Sequence, residues 1–294
     1  EDKKIINNFI NKHLPEKKID YNASQDLFSN YAEEFLNPYL YDILPLILRK
    51  IKITNDFPKI LDLGCGFGPM CLASKIYRDI WLKKKLNQDI YYVGIDIRED
   101  SINYNKKNFG EYKEIIFINH KIPDTKFDYI GDFNLHKFKA PNYISTEKTS
   151  EGKESAYKLP FVFKADVQWS NSLITHVTPQ ALDNILKFTF EQLNENGVSF
   201  NTCNIIDPES LYLMKMGMAD RNLKYDFGAF MTYSNTNPLA NTAYKIDYLY
   251  KAYEKNKLKI TEIIPGRWRN FNNKNIKNPQ NNIYQDVIVA KKIL

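Results

Sequence analysis

Three glycines occupy alternate positions in KILDLGCGFGPMC (residues 59–71), at Gly64, Gly66 and Gly68, and Asp62 precedes the first by two residues. The chain has only 11 glycines in 294 residues, so this cluster marks a place where main chain must be presented to a ligand. A glycine turn after the first strand of an α/β sheet lets the backbone approach a nucleotide and bend into the next helix. The spacing is not the dinucleotide fingerprint G-x-G-x-x-G, because Pro69 stands where the third glycine would fall. Proline there suits the first turn of a helix, where its missing N–H costs nothing. No G-K-[ST] follows, which excludes a P-loop. The carboxylate of Asp62 would repel a pyrophosphate, whereas it suits a ligand carrying an ammonium and a sulfonium.

The elements that must position this turn follow from periodicity. The apolar spacing of residues 24–53 predicts helix, broken at Pro38 and Pro45, as a layer ahead of the first strand. KILDLG then reads as a strand, with helix from Pro69 to about Lys84. YYVGIDI (91–97) and EIIFINH (114–120) read as strands two and three, separated by helix over 101–109. Residues 121–160 have no sustained period, and a loop of that length in a compact domain is more often functional than accidental. The rhythm resumes with DVQWSNS (166–172), a helix from Pro179 to Asn194 ending at the Asn196-Gly197 turn, and VSFNTCNI (198–205). A second irregular region, 207–241, precedes a helix over 242–258, and KITEIIPG and YQDVIVAKK close the chain as strands. Strand alternating with helix means right-handed crossovers, so the expectation is a Rossmann-like α/β sheet of seven mostly parallel strands. Residues 1–55 form its helical layer, residues 56–294 form the ligand-binding domain, and the two irregular insertions form a lid.

LDLGCGFG resembles motif I of the class I S-adenosylmethionine (SAM) dependent methyltransferases, and YVGIDI resembles their second motif, whose acid ends strand two. The resemblance implies SAM as cofactor, with Asp96 receiving the two ribose hydroxyls; one carboxylate has two oxygens that can accept from two vicinal donors. It further implies a cofactor set of Asp62, Gly64, Cys65, Gly66, Gly68, Asp96, Ile97, Asn119 and Ser172. Residues 169–207, the stretch AYKIDYLYKAYEKNKLKITEIIPGRW and the terminal YQDVIVAKK resemble a bacterial group of methyltransferases encoded with surface-polysaccharide genes. Roughly residues 25–294 are covered. The sequence departs from that group at Glu195-Asn196-Gly197, at Lys121 and across 121–160. The activity implied is O-methylation of a sugar hydroxyl, in capsular or other surface-polysaccharide or nucleotide-sugar synthesis. N- or C-methylation of another small metabolite, RNA methylation, and a binding module without turnover stay open.

SAM already carries an activated methyl, so the protein must align an acceptor and, for a hydroxyl, remove its proton. Of four histidines, only His176 lies just beyond the carboxyl end of a predicted strand, and it is the candidate general base. The alternatives are a helix-starting residue and a group that binds acceptor without proton transfer. His120 belongs near adenine, while His13 and His136 have no supporting context. Asp166, opening strand four, reads as a structural acid, with a catalytic role as the alternative. Tyr244, Arg267 and Trp268 are the acceptor-binding candidates, because aromatic faces and guanidinium forks suit sugars and phosphates, although packing roles compete.

Lys and Arg exceed Asp and Glu by 41 to 35, a net charge of +6, but the lysines are scattered rather than gathered into an arm, which argues against nucleic acid. Three cysteines without C-x-x-C spacing argue against a disulfide framework and a zinc site, and no other metal-ligand pattern is present. No apolar run reaches the ~20 residues of a membrane span, and the amino-terminal stretch carries charges where a signal peptide needs apolar residues. The expectation is a cytoplasmic enzyme acting on a small-molecule or sugar acceptor, with self-association left open.

Overall fold

The structure is a computed structural model that describes residues 36, 38–51, 57–78, 90–120, 159, 161–271 and 283–293. The 121–160 insertion, His13, His136 and the outer parts of the amino-terminal and 69–84 helices therefore lie wholly or almost wholly outside the described residues. The chain divides into two compact units: the described residues up to His120 with Ala165–Val167, and the remainder.

In the first unit a π-helical turn, Tyr39–Ile43, runs into helix α1 (Leu44–Lys50). The predicted break at Pro45 does not occur, because Pro45 lies at the start of α1, where the wide preceding turn makes no demand on its missing N–H. Leu40, Leu44 and Ile47 are fully buried, and these turns pack on helix α2 (Pro69–Ile76). Strand β1 (Ile60–Leu63) is buried along its whole length, as a parallel strand covered on both faces must be. It pairs in parallel with β2 (Tyr92–Asp96), which pairs in parallel with β3 (Ile115–Asn119) after helix α3 (Glu99–Phe109). Strand β4 (Ala165–Ser170) begins beside β1: the Lys59 carbonyl accepts from the N–H groups of Asp166 and Val167. Asp166 itself accepts from the Lys59 N–H at 2.8 Å. It pins the starting edge of β1, opposite the glycine turn, and is thus the structural acid its position suggested. The order β3–β2–β1–β4 is that of a doubly wound sheet.

The second unit continues with helix α4 (Pro179–Gln192), whose Thr178 cap accepts from the Ala181 N–H. It passes directly into β5 (Leu193–Ile206). The expected turn at Asn196-Gly197 is therefore inside a strand. Strand β5 pairs antiparallel with β10 (Asp286–Lys292) over Val198–Cys203 and parallel with β8 (Thr242–Lys245) over Asn204–Ile206. The 207–241 stretch is more ordered than its sequence suggested. It holds helix α5 (Pro208–Lys215), the short strands β6 (Tyr225–Asp226) and β7 (Phe230–Thr232), and a 3-10 turn, Pro238–Ala240. Thr242–Lys245, expected to be helical, is drawn into β8 by ladders on both sides, to β5 and to β7. Helix α6 (Ile246–Lys255) starts only after it, and β9 (Leu258–Ile264) pairs with β10. The described residues thus hold ten strands where seven were expected, the additions being β6, β7 and β8. The α/β Rossmann-like class holds, with antiparallel strands closing the second unit.

An ion-pair cluster fixes the carboxyl-terminal strands of this unit. Asp286, fully buried, accepts from the Ile205 and Gly266 N–H groups, from Trp268 Nε1 and from two Arg269 nitrogens at 2.7 and 3.1 Å. Arg269 also donates to Asp207 at 2.7 Å. Removing one partner would strand a desolvated charge. Arg269→Met is expected to lower the unfolding free energy by roughly 3–5 kcal/mol, read by urea titration. Lys255→Met, at the exposed Asp183 pair, should change it by less than about 1 kcal/mol.

Candidate functional site

The turn after β1 is a run of left-handed glycines, with φ of +73° at Gly64, +49° at Gly66 and +73° at Gly68. The reasons for glycine differ along it. A side chain at Gly68 would collide with Asn105 Oδ1 at 2.7 Å, so there the turn packs against α3. A side chain at Gly66 would meet nothing within 4 Å. Open space at a backbone-only position is where the main chain can be approached by a ligand. Gly64 and Cys65 donate their N–H groups to the Ile95 carbonyl, at 2.8 and 3.1 Å, and the Gly68 N–H closes the turn on the Cys65 carbonyl. Pro69 starts α2, as expected.

Asp96, at the tip of β2, turns to this loop. Its Oδ2 accepts from the Gly66 N–H at 2.8 Å and its Oδ1 from the Arg98 N–H at 2.9 Å. Each carboxylate oxygen retains a second lone pair, which leaves room for two further donors. Burial, the largest influence, raises the Asp96 pKa despite these bonds. Asn119, ending β3, donates from Nδ2 to the carbonyls of Asp96 and Ile97 at 3.2 and 2.9 Å, and so fixes the loop after β2. Ile97 is half-buried there. The His120 N–H also donates to the Asp96 carbonyl. Asp62 is buried within β1, where its Oδ2 accepts from the Tyr92 hydroxyl at 2.5 Å. Burial pushes its pKa up to about 7, the Tyr92 bond opposes that rise, and the charge of Asp96 adds to it. Cys65 is a buried thiol whose pKa burial pushes well up, so it packs as a small apolar group.

Sequence reasoning missed Tyr92 and Asn105. Asn105 donates from Nδ2 to the Gly66 carbonyl at 2.7 Å and is fully buried. Its signal was a polar residue on the buried stripe Ser101, Asn105, Phe109, four residues apart along α3. A tyrosine opening a buried strand likewise needs a partner for its hydroxyl.

In the second unit, β4 is followed by Ser172 in the left-handed region, φ +58°, which is rare for a residue with a side chain. Three bonds hold it: its N–H to Thr202 Oγ1, its Oγ to Gln285 Oε1, and the Thr175 hydroxyl to its carbonyl. This kink launches the 3-10 turn Ile174–His176. His176 Nδ1 lies 3.0 Å from the Leu239 carbonyl, which makes Nδ1 the protonated nitrogen and places the lone pair on Nε2. Burial lowers its pKa more than this bond raises it, so the imidazole is neutral at neutral pH.

The acceptor candidates separate. Tyr244 is fully enclosed, its hydroxyl donating to the Val177 carbonyl at 2.7 Å. Trp268 is fully enclosed with Nε1 on Asp286, in the ion-pair cluster described above. Both pack instead of presenting a ring face, and Arg267 alone of the three is exposed, over the Phe271 ring. Among the described residues no group of His, Cys, Asp or Glu is arranged to hold a metal, and no helix is long and apolar enough to cross a membrane.

No protein-family model matches the sequence, and a search of curated proteins finds no match. Among solved structures the chain is similar to the PH0226 protein of Pyrococcus horikoshii, at 14% identity over 90% of this chain and 96% of that one, with a TM-score of 0.51. It is also similar to a SAM-dependent methyltransferase of Clostridium acetobutylicum, at 12% identity over 91% and 95% of the two chains, with a TM-score of 0.49. A TehB-like SAM-dependent methyltransferase of Corynebacterium glutamicum matches at 15% identity over 90% and 97%, with a TM-score of 0.44. The likeness to the Pyrococcus protein shows the fold and, at that identity, nothing of the chemistry.

The buried acid in β1 has a measurable consequence. A carboxyl whose pKa rises from 3.8 unfolded to about 7 folded binds its proton more tightly when folded, so its ionisation costs stability as pH climbs through that window. Asp62→Asn keeps an acceptor for Tyr92 without the charge. The variant is expected to have a higher melting temperature than the parent at pH 8, with the difference vanishing toward pH 4, by calorimetry in the absence of ligand.

Proposed function

We propose that the chain is a SAM-dependent methyltransferase that methylates a hydroxyl of a small acceptor, a sugar of surface-polysaccharide or nucleotide-sugar synthesis being the acceptor its motifs favour. The observation that carries this reading is the bond between the Gly66 N–H and Asp96: the acid that ends β2 lies against the glycine turn, with lone pairs to spare. The residues present fit the cofactor. Gly66 offers backbone beside open space, Asp96 can accept from two ribose hydroxyls, and Asp62 supplies a carboxylate that a nearby ammonium would hold ionised.

When bound, SAM supplies an activated methyl group. The chain's own task is then to orient the acceptor and take its proton. His176 is suited to the second role. The Leu239 carbonyl fixes its tautomer, burial keeps it neutral, and Nε2 carries the lone pair that takes the hydroxyl proton. Asn105 positions the glycine turn and Asn119 the loop after β2.

Two measurements test the reading. Calorimetric titration with S-adenosylhomocysteine should show binding that Gly66→Ala weakens at least ~10-fold, while the substitution costs only the ~1–2 kcal/mol of a left-handed alanine. Absence of binding by the parent protein would end the proposal. With labelled SAM and an acceptor, His176→Ala should reduce methyl transfer ~100-fold or more without changing S-adenosylhomocysteine affinity. The parent's rate should rise with pH to a plateau reached at lower pH than an unperturbed histidine would give, because the depressed pKa leaves the base unprotonated earlier.

A further inference from the structure

The carboxyl end of β5 carries a polar residue that the ladder and the core leave half-satisfied. Asn204 is fully buried. Its Nδ2 donates to Asn241 Oδ1 at 3.0 Å, while its own Oδ1 has no partner among the described residues. Asn237, 5% exposed, likewise has a buried Oδ1 without a partner. Native proteins pair nearly all such atoms because each orphan carries a desolvation cost, so two within one neighbourhood require an explanation.

That neighbourhood is the one His176 grips. Its Nδ1 bonds the carbonyl of Leu239, which lies between Asn237 and Asn241 in sequence. The Thr242 hydroxyl, next along the chain, donates to the Ile174 carbonyl in the same 3-10 turn as His176. The Ala240 N–H donates to the Asn237 carbonyl, which closes the segment on itself. By contrast, the polar network one turn back on β5 is complete: Asn201 bonds Ser170, Gln168, Ser199 and the Tyr253 hydroxyl. Asn204 and Asn237 thus leave buried oxygens open on the segment that His176 holds.

We propose that Asn204 and Asn237 are acceptor-recognition residues, whose buried amide ends receive hydroxyl groups of an uncharged, polyhydroxylated molecule held on the Asn237–Asn241 segment. The inference rests on the methyl-transfer reading and gives it a substrate class. A hydroxyl both donates and accepts, so it pairs with Asn204 whichever way that amide is turned. Asn204, Asn237, Leu239, Asn241 and Thr242 carry no charge, and a phosphate or carboxylate would bring further acceptors to oxygens that already lack donors.

The test uses the full chain and methyl β-D-glucopyranoside as probe. On titration, the side-chain amide NMR signals of Asn204 and Asn237 should move, and glucose 6-phosphate should bind no more tightly. Asn237→Leu and the pair Asn204→Leu/Asn241→Leu should each weaken the probe at least ~10-fold, with S-adenosylhomocysteine affinity unchanged. Their melting temperatures should stay level or rise, because deleting an orphaned polar atom relieves a desolvation cost. Signals that do not move, or variants that bind the probe as the parent does, overturn the inference. So does a fall of ~5 °C or more in Asn237→Leu, which would assign the oxygen to a structural water. Loss of S-adenosylhomocysteine binding by the parent sinks the methyl-transfer reading instead, and the glucoside titration still decides this one.

Discussion

The first unit is organised around one hydrogen bond, from the Gly66 amide to the carboxylate of Asp96. For that N–H to reach the tip of β2, the chain after β1 must turn with positive φ three times in five residues, which only glycine does without strain. The bond holds the turn in an open form with its apex uncrowded. The charge of Asp96 also disfavours ionisation of Asp62, in a place where burial already disfavours the ionised form of both. The free protein therefore carries an electrostatic cost that a cation would remove.

The second unit resolves polar burial differently. Along β5, Ser199, Asn201, Thr202 and Asn204 are all fully enclosed, an expensive composition for a central strand. Ser199 and Asn201 face Gln168 and Tyr253 in a closed set, and Thr202 joins Ser172 and Gln285. These bonds reach from Gln285, just ahead of β10, through β5 to the kink at Ser172, and so specify where the turn bearing His176 begins. An apolar β5 would pack as well but would not define that kink, which gives the buried polarity a positioning role.

Legibility in the sequence followed the range of the interactions. The parallel strands and the glycine turn could be read because each is specified within a dozen consecutive residues, by an apolar run, a φ requirement and a proline. Asp96 could be read because strand ends in such sheets converge on one edge. Tyr92 could not, since its bond to Asp62 joins residues 30 apart through the register of two strands. The burial of Tyr244 and Trp268 was equally hidden. An aromatic at a strand boundary looks the same whether it faces solvent or, as here, meets a carbonyl or carboxylate. Strand β8 shows the opposite failure: its residues fit a helix, and ladders on both sides overrode that local preference.

Under the proposed reading, the state of His176 bears on the kind of proton transfer it could serve. Burial that keeps an imidazole neutral also weakens it as a base, since the cost of charging it falls on the same low-dielectric surroundings. Such a group is poorly suited to extracting a proton from an alcohol before reaction. It is well suited to receiving one as the oxygen's bond to carbon forms, when the hydroxyl has become strongly acidic. Were His176 to take that proton, the Leu239 carbonyl would face the Nδ1–H of the cation and stabilise it, much as a carboxylate would but without a permanent charge. A neutral carbonyl in that place adds no permanent charge beside the imidazole.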